Sequence, residues 1–199
     1  PGMVQCFRRA AASFGLETAA EEVLARMKDS LSACVGAYAA RGGISADSLL
    51  AAFRKEENLL PPEGVHPVAD IPRTLRMLCQ GGGKHYLVTH RDGLARIYLR
   101  ASGLDGLFTD MVTGEDCFPR KPAPDSLLHL MRKHGLSPDS CVMIGDRPLD
   151  VEAGANAGML GCLLDPEGRF GDCRCPLRAR GAAELPGLLT PEPLLPRRS

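Results

Sequence analysis

Apolar positions recur at helical spacing through roughly the first sixty residues. Met3, Phe7, Ala10, Ala11 and Phe14 share one face, because residues three and four apart stack above one another on an α-helix. A second helix is predicted to open at Thr18-Ala19-Ala20-Glu21, where threonine and glutamate can each satisfy the other's free backbone donor. Val23, Met27, Leu31, Val35 and Tyr38 carry its apolar face on until Gly42-Gly43 stops it. Ser45 can then cap a third helix bearing Leu49, Leu50, Phe53 and Leu59. Pro61-Pro62 excludes further helix, which predicts a small helical domain over residues 1–64.

From residue 65 the pattern changes to short apolar runs that do not alternate: Tyr86-Leu87-Val88, Met111-Val112, Cys141 to Ile144 and Gly161 to Leu164. Helical patterns lie between them, at about 70–79, 93–102, 124–134 and 150–157. Continuous apolar strands that alternate with helices predict a parallel sheet covered on both faces. The expected fold class is therefore α/β, a Rossmann-like parallel sheet core over residues 65–189, preceded by the helical domain. Residues 190–199, proline-rich and ending Arg197-Arg198-Ser199, read as a disordered tail.

Composition narrows the partner. Lys plus Arg and Asp plus Glu number 24 each in 199 residues, so no basic excess points to nucleic acid. No apolar run reaches the roughly 20 residues that span a bilayer, and the first residues lack the charged and apolar regions expected of a targeting peptide. The eight cysteines are scattered through apolar runs without a disulfide spacing, so reduced thiols and a cytoplasmic setting are expected. Cys173 and Cys175 form a tight pair, but a zinc site needs a second pair nearby, and a surface loop is the simpler reading.

Ligands of parallel sheets sit at the carboxyl ends of the strands, so chemistry is sought just after each run. Thr89-His90-Arg91 follows the first run, and Thr89 has two readings: a helix cap, or a hydroxyl in an anion cradle. His90 and Arg91 read as either bystanders or substrate contacts. Lys121 follows the second run between turns stiffened by Pro119, Pro122 and Pro124, which can aim its ammonium at a fixed point. After the third run stand Asp146 and Asp150, a spacing suited to Mg²⁺, which one or two carboxylates hold together with phosphate and water. Asp150 also reads as a helix cap.

"LVTHRDG", "RKPAPD" and "IGDRPLDVEAGANAG", in this order at these strand ends, resemble the second, third and fourth motifs of the haloacid dehalogenase-like hydrolase superfamily. Thr89 and Lys121 are 32 residues apart, and Lys121 and Asp146 are 25, which makes the ordered set far more specific than any one motif. The leading helices resemble the cap domain of subfamily I, and the texture is similar to that of phosphoglycolate phosphatase-like members. The resemblance implies that Thr89 and Lys121 are catalytic. Thr89 would bond the transferring phosphoryl group and Lys121 would neutralise it, with His90 and Arg91 also binding substrate. It implies that Asp146, helped by Asp150, binds Mg²⁺.

The expected activity is Mg²⁺-dependent hydrolysis of a phosphomonoester of a small metabolite, by a monomer or homodimer. A phosphosugar mutase or a 2-haloacid dehalogenase would share the fold. A non-catalytic relative that binds a phosphorylated ligand or a protein is the alternative of another class. Arg8, Arg9 and the segment around Lys55 are candidate substrate-facing charges, though solvated surface is the better reading of each.

Members of that superfamily begin with Asp-x-Asp-x-Thr, which carries the nucleophile and the general acid at the end of a first, central strand. No Asp-x-Asp occurs in this chain. Without that strand, its two neighbours, the runs at 86–89 and 141–145, would expose unpaired backbone. The expectation is a segment of roughly 15–25 residues ahead of Pro1, one strand and a loop, without which the chain would be inactive.

Overall fold

The computed structural model describes residues 2–62 and 65–189, and the expected disordered tail lies outside them. The described residues fall into two compact units divided between His66 and Pro67.

The first unit contains α1 (Gly2–Ala12), α2 (Ala20–Asp29), α3 (Leu31–Gly42) and α4 (Ala46–Asn58). Phe7 anchors its core, with ring centroids 5.3 Å from Tyr38 and 6.0 Å from Phe53. Around them Val23, Cys34 and Leu49 are fully buried.

Two local expectations are corrected here. The helix predicted to run unbroken to Gly42 is split at Ser30, whose backbone is extended (φ −166°) and whose hydroxyl accepts the Ala33 amide at 2.9 Å. Met27 and Leu31 are four apart on either side of the break, so the apolar periodicity passes through it unmarked. The capping box at Thr18 does not form: the residue before α2 is Ala19, and no side chain caps that helix. Phe14 lies past the end of α1 and is 38% exposed.

The second unit holds two parallel sheets. In one, β1 (His85–Val88) pairs with β2 (Phe108–Val112). In the other, β3 (Val142–Gly145), β4 (Leu160–Leu164) and β5 (Leu177–Ala179) pair in that order. The helices are α5 (Ile71–Gln80), α6 (Leu94–Ala101), α7 (Asp125–His134), α8 (Pro148–Asn156) and α9 (Leu185–Leu189). β5 escaped prediction because it reads Leu-Arg-Ala, with a cation where an apolar residue was sought. Arg178 is satisfied by the buried Asp165 carboxylate at 2.8 Å and by the carbonyls of Phe170 and Cys173, each at 2.9 Å.

β1 has β2 on one side and β3 has β4 on one side; their other edges pair with no strand among the described residues. Burial follows the same division. Gly161, Cys162 and Leu163 of β4 are buried, whereas every residue of β1 and β3 remains partly exposed. One apolar cluster nevertheless serves both sheets: Val88 of β1 and Met143 of β3 pack against Leu127 of α7 and Ala153 and Ala157 after them.

Candidate active site

The carboxyl end of β1 and the first turn of α8, the helix that follows β3, meet at Lys121. Its ammonium forms a short ion pair with the Asp150 carboxylate and lies 3.5 Å from the Val88 carbonyl at the end of β1. Both side chains are nearly inaccessible, 8% exposed for Lys121 and 3% for Asp150. The loop carrying Lys121 is tied on two sides. Its backbone amide donates to His90 Nε2 at 3.1 Å, and Asn156 of α8 donates to the Pro122 carbonyl at 3.0 Å.

Asp150 stands in the first turn of α8, where its second oxygen accepts the Arg147 amide at 3.2 Å. The helix-cap reading and the ion-pair reading therefore both apply to it. Gly145 makes this possible: a Cβ there would lie 2.2 Å from the Asp150 Cβ, closer than atoms can approach. The Gly-Asp step was visible in the sequence, but that the glycine is needed for Asp150 was not.

Thr89 is fixed to the sheet by its amide, which donates to the Val112 carbonyl at 3.0 Å. Its hydroxyl accepts the Arg91 amide at 3.1 Å. The helix-cap reading of Thr89 does not hold, because α6 opens at Leu94, whose amide is taken by Asp92 at 3.2 Å. Arg91 turns its guanidinium over the Tyr98 ring, 5.4 Å from the centroid. A cavity of about 90 Å³ lies at the ends of β1 and β2, walled in part by Thr89, His90, Gly114, Arg120 and Ser126. Burial, and then the cations of Lys121, Arg120 and Arg147, lower the His90 pKa below its ordinary 6.5.

Asp146 is set apart from this network. Its side chain is 80% exposed, and its contact with Arg147 is a loose 3.8 Å. The hard oxygen donors suit Mg²⁺, and the two aspartates differ in availability: Asp146 is open, whereas both oxygens of Asp150 already accept hydrogen bonds. Among the described residues no group of three or more His, Cys, Asp or Glu side chains converges as a metal site. A Mg²⁺ ion held here would take at most part of its shell from these two carboxylates, with phosphate, water or other protein groups supplying the rest.

Elsewhere the predicted charges are otherwise engaged. Arg9 pairs with Glu56 at 2.6 Å and Arg8 donates to the Thr18 carbonyl at 3.3 Å. Lys55 borders a shallow surface depression on α4 with Asp47 and Arg54. The eight cysteines are free thiols, and no helix among the described residues is long and apolar enough to cross a membrane.

The family model for haloacid dehalogenase-like hydrolases matches residues 1–163, and the chain belongs to that family. Its relatives lie in subfamily IA and are phosphoglycolate phosphatase-like. It is 33% identical over 108 residues to a phosphoglycolate phosphatase of Aquifex aeolicus, covering 53% of this chain and 50% of that protein. Pyrophosphatase PpaX of Halalkalibacterium halodurans is 29% identical over 114 residues, 57% of this chain and 53% of that protein. The chain thus spans about half the length of the curated relatives it matches.

Among solved structures, a predicted phosphoglycolate phosphatase from Haemophilus somnus superposes with a TM-score of 0.79 at 20% identity, over 96% of this chain and 91% of that one. A HAD-superfamily hydrolase, subfamily IA, from Geobacter sulfurreducens gives 0.71 at 19%, over 95% and 89%. At these identities the likeness is one of fold.

Proposed function

We propose that this chain belongs to a Mg²⁺-dependent phosphatase that hydrolyses a small phosphomonoester through an aspartyl-phosphate intermediate. Lys121 carries the reading. A buried ammonium held between the end of β1 and the start of α8 costs several kcal/mol to desolvate, and this one bonds the last residue of β1, which like β3 has one edge that pairs with no strand among the described residues, leaving an opening for one. A strand that filled this opening would end beside Lys121. A carboxylate at that point would have its charge, and that of an incoming phosphoryl group, neutralised in a site of low dielectric.

The nucleophile is assigned to such a strand, supplied by sequence ahead of the residues described. Its carboxylate attacks phosphorus, and the ester oxygen leaves with a proton from a neighbouring acid. Water then cleaves the acyl phosphate and releases inorganic phosphate. In this reading Thr89 bonds a phosphoryl oxygen and Lys121 balances its charge, while Asp146 would hold the metal, with Asp150 acting through water and by fixing Lys121. Bound Mg²⁺ would neutralise and orient phosphoryl oxygens.

Arg120, in the wall of the cavity beside Thr89 and His90, suits a substrate with a second anionic group, such as phosphoglycolate or inorganic pyrophosphate, over a sugar phosphate whose only charge is its phosphate. The test is phosphate release by the full-length protein from phosphoglycolate, pyrophosphate, sugar phosphates and haloacids, with and without EDTA. Release that EDTA abolishes is expected from the first two. Absence of release, EDTA-resistant release or halide release overturns the reading.

A further inference from the structure

We infer that His90 is a positioning residue: its imidazole, accepting the Lys121 backbone amide at Nε2, fixes the point at which the Lys121 ammonium stands. A backbone N–H only donates, so Nε2 must present its lone pair and the ring must be the neutral tautomer protonated at Nδ1. The ring is therefore a structural acceptor facing the lysine loop, a different role from that of a substrate-binding cation.

The anchorage behind the ring supports this role. The Thr89 amide is bonded to Val112 of β2, and the Gly114 amide donates to the Arg91 carbonyl at 2.8 Å. Gly114 also packs so closely beneath His90 that a Cβ would lie 2.6 Å from the His90 carbonyl oxygen. His90 thus stands on a backbone held from both sides by the end of β2. Beyond the loop, Lys121 reaches Asp150 on α8, which follows β3. The imidazole accordingly joins the β1–β2 sheet to the loop that carries Lys121, and among the described residues no strand of one sheet pairs with a strand of the other. Lys121, Arg120, Arg147 and Asp150 are the charged groups that bear on it. Three of the four are cations, which favours the neutral ring the hydrogen bond requires.

The kinetic consequence rests on the phosphatase reading, whereas the hydrogen bond itself does not, so two measurements are paired. In the full-length protein labelled with ¹⁵N, a scalar coupling across the hydrogen bond should link the Lys121 amide nitrogen to His90 Nε2. Absence of that coupling, with Nε2 protonated, overturns the inference. His90→Phe keeps a ring but removes the acceptor, and His90→Gln restores an acceptor. The Phe variant should exchange its Lys121 amide about tenfold faster and lose about tenfold in kcat, the scale of one lost hydrogen bond, and the Gln variant should recover most of both. Equal losses in the two variants, or unchanged Lys121 exchange in the Phe variant, would reduce His90 to packing and refute the role. If the Phe variant does not fold, the wild-type coupling and the Gln variant still decide. A wild-type protein that releases no phosphate defeats the phosphatase reading, while the coupling and exchange data judge His90 separately.

Discussion

Lys121 and Asp150, 29 residues apart in sequence, form an ion pair with almost no access to water. Each justifies the burial of the other, so removing one partner leaves an uncompensated charge, at a cost of about 3–5 kcal/mol. Lys121→Met is expected to lower stability by that order. The double variant Lys121→Met with Asp150→Asn should recover a large part of it, because a neutral pair has no charge to desolvate. Urea midpoints of the wild type, both single variants and the double variant form the cycle; additive losses would show that the two groups are not coupled. Phosphate release should be lost in all three variants, including the restabilised one, because neutralising the phosphoryl group needs the cation itself.

Gly145 sets the geometry of that pair. Its α-hydrogen occupies the space in which any Cβ would meet the Asp150 side chain at 2.2 Å. Gly145→Ala must displace either β3 or the first turn of α8, and neither is the free end of a flexible chain. A loss of about 1–3 kcal/mol is expected, the usual cost of overpacking. It should be accompanied by loss of Lys121 function without any change in the catalytic residues themselves. A variant of wild-type stability and activity would mean that Asp150 does not occupy this position.

Asp146 and Asp150 sit four residues apart, yet the fold gives them opposite environments, which separates their effects. Asp146→Asn should leave the unfolding free energy within about 0.5 kcal/mol of wild type, as is usual at an exposed position. It should raise the Mg²⁺ concentration needed for half-maximal activity by more than tenfold. Activity measured across a Mg²⁺ titration checks this, and an unchanged metal requirement would remove Asp146 from the metal site.

Much of this was legible in the sequence, and the misses have local causes. The β1, β2, β3 and β4 runs are apolar because they are strands of parallel sheets; Thr89 and Asp146 stand directly after β1 and β3, and Lys121 lies further along the loop that follows β2. Pattern alone could not reveal that Ser30 interrupts a continuous apolar face, since a break of one residue leaves the spacing of Met27 and Leu31 intact. Nor could it detect β5, whose arginine is satisfied by Asp165, 13 residues earlier. His90 was legible as a residue at the site but not as an acceptor, because its partner is a backbone amide 31 residues away and backbone partners leave no trace in residue type.

Asp110 on β2 ties that strand to the end of α7. Its carboxylate accepts from Lys133 at 2.8 Å, from His134 at 2.7 Å and from the Met111 amide at 2.8 Å. The Lys133 and His134 bonds, in that order, hold its pKa well below the ordinary 3.8. A carboxylate with a depressed folded pKa binds fewer protons than the unfolded chain does. Its stabilisation is therefore complete above the ordinary value and is lost as pH falls through the folded one. Asp110→Asn should cost about 1–2 kcal/mol at pH 7, and the gap to wild type should narrow below about pH 4. Urea midpoints at pH 7 and pH 3 test it; a gap that stays constant would mean that the charge of Asp110 contributes nothing.

The open edges of β1 and β3 give the sharpest physical test of the proposed nucleophile strand. Backbone groups on a strand edge that lack a partner must bond to water, and their amide hydrogens exchange freely. In residues 1–199 alone, the amides of β1 and β3 that do not face β2 or β4 should exchange rapidly, even though both strands carry apolar side chains. Adding the proposed nucleophile strand should slow those amides by a factor of 100 or more, about 2.8 kcal/mol of local protection by the conversion that makes each tenfold about 1.4 kcal/mol. The amides already bonded to β2 and β4 should gain less, because they are protected by existing ladders. Hydrogen exchange followed residue by residue separates the two sets. Equal protection of both sets before and after would show that the opening does not receive a strand, and the nucleophile would have to be sought elsewhere.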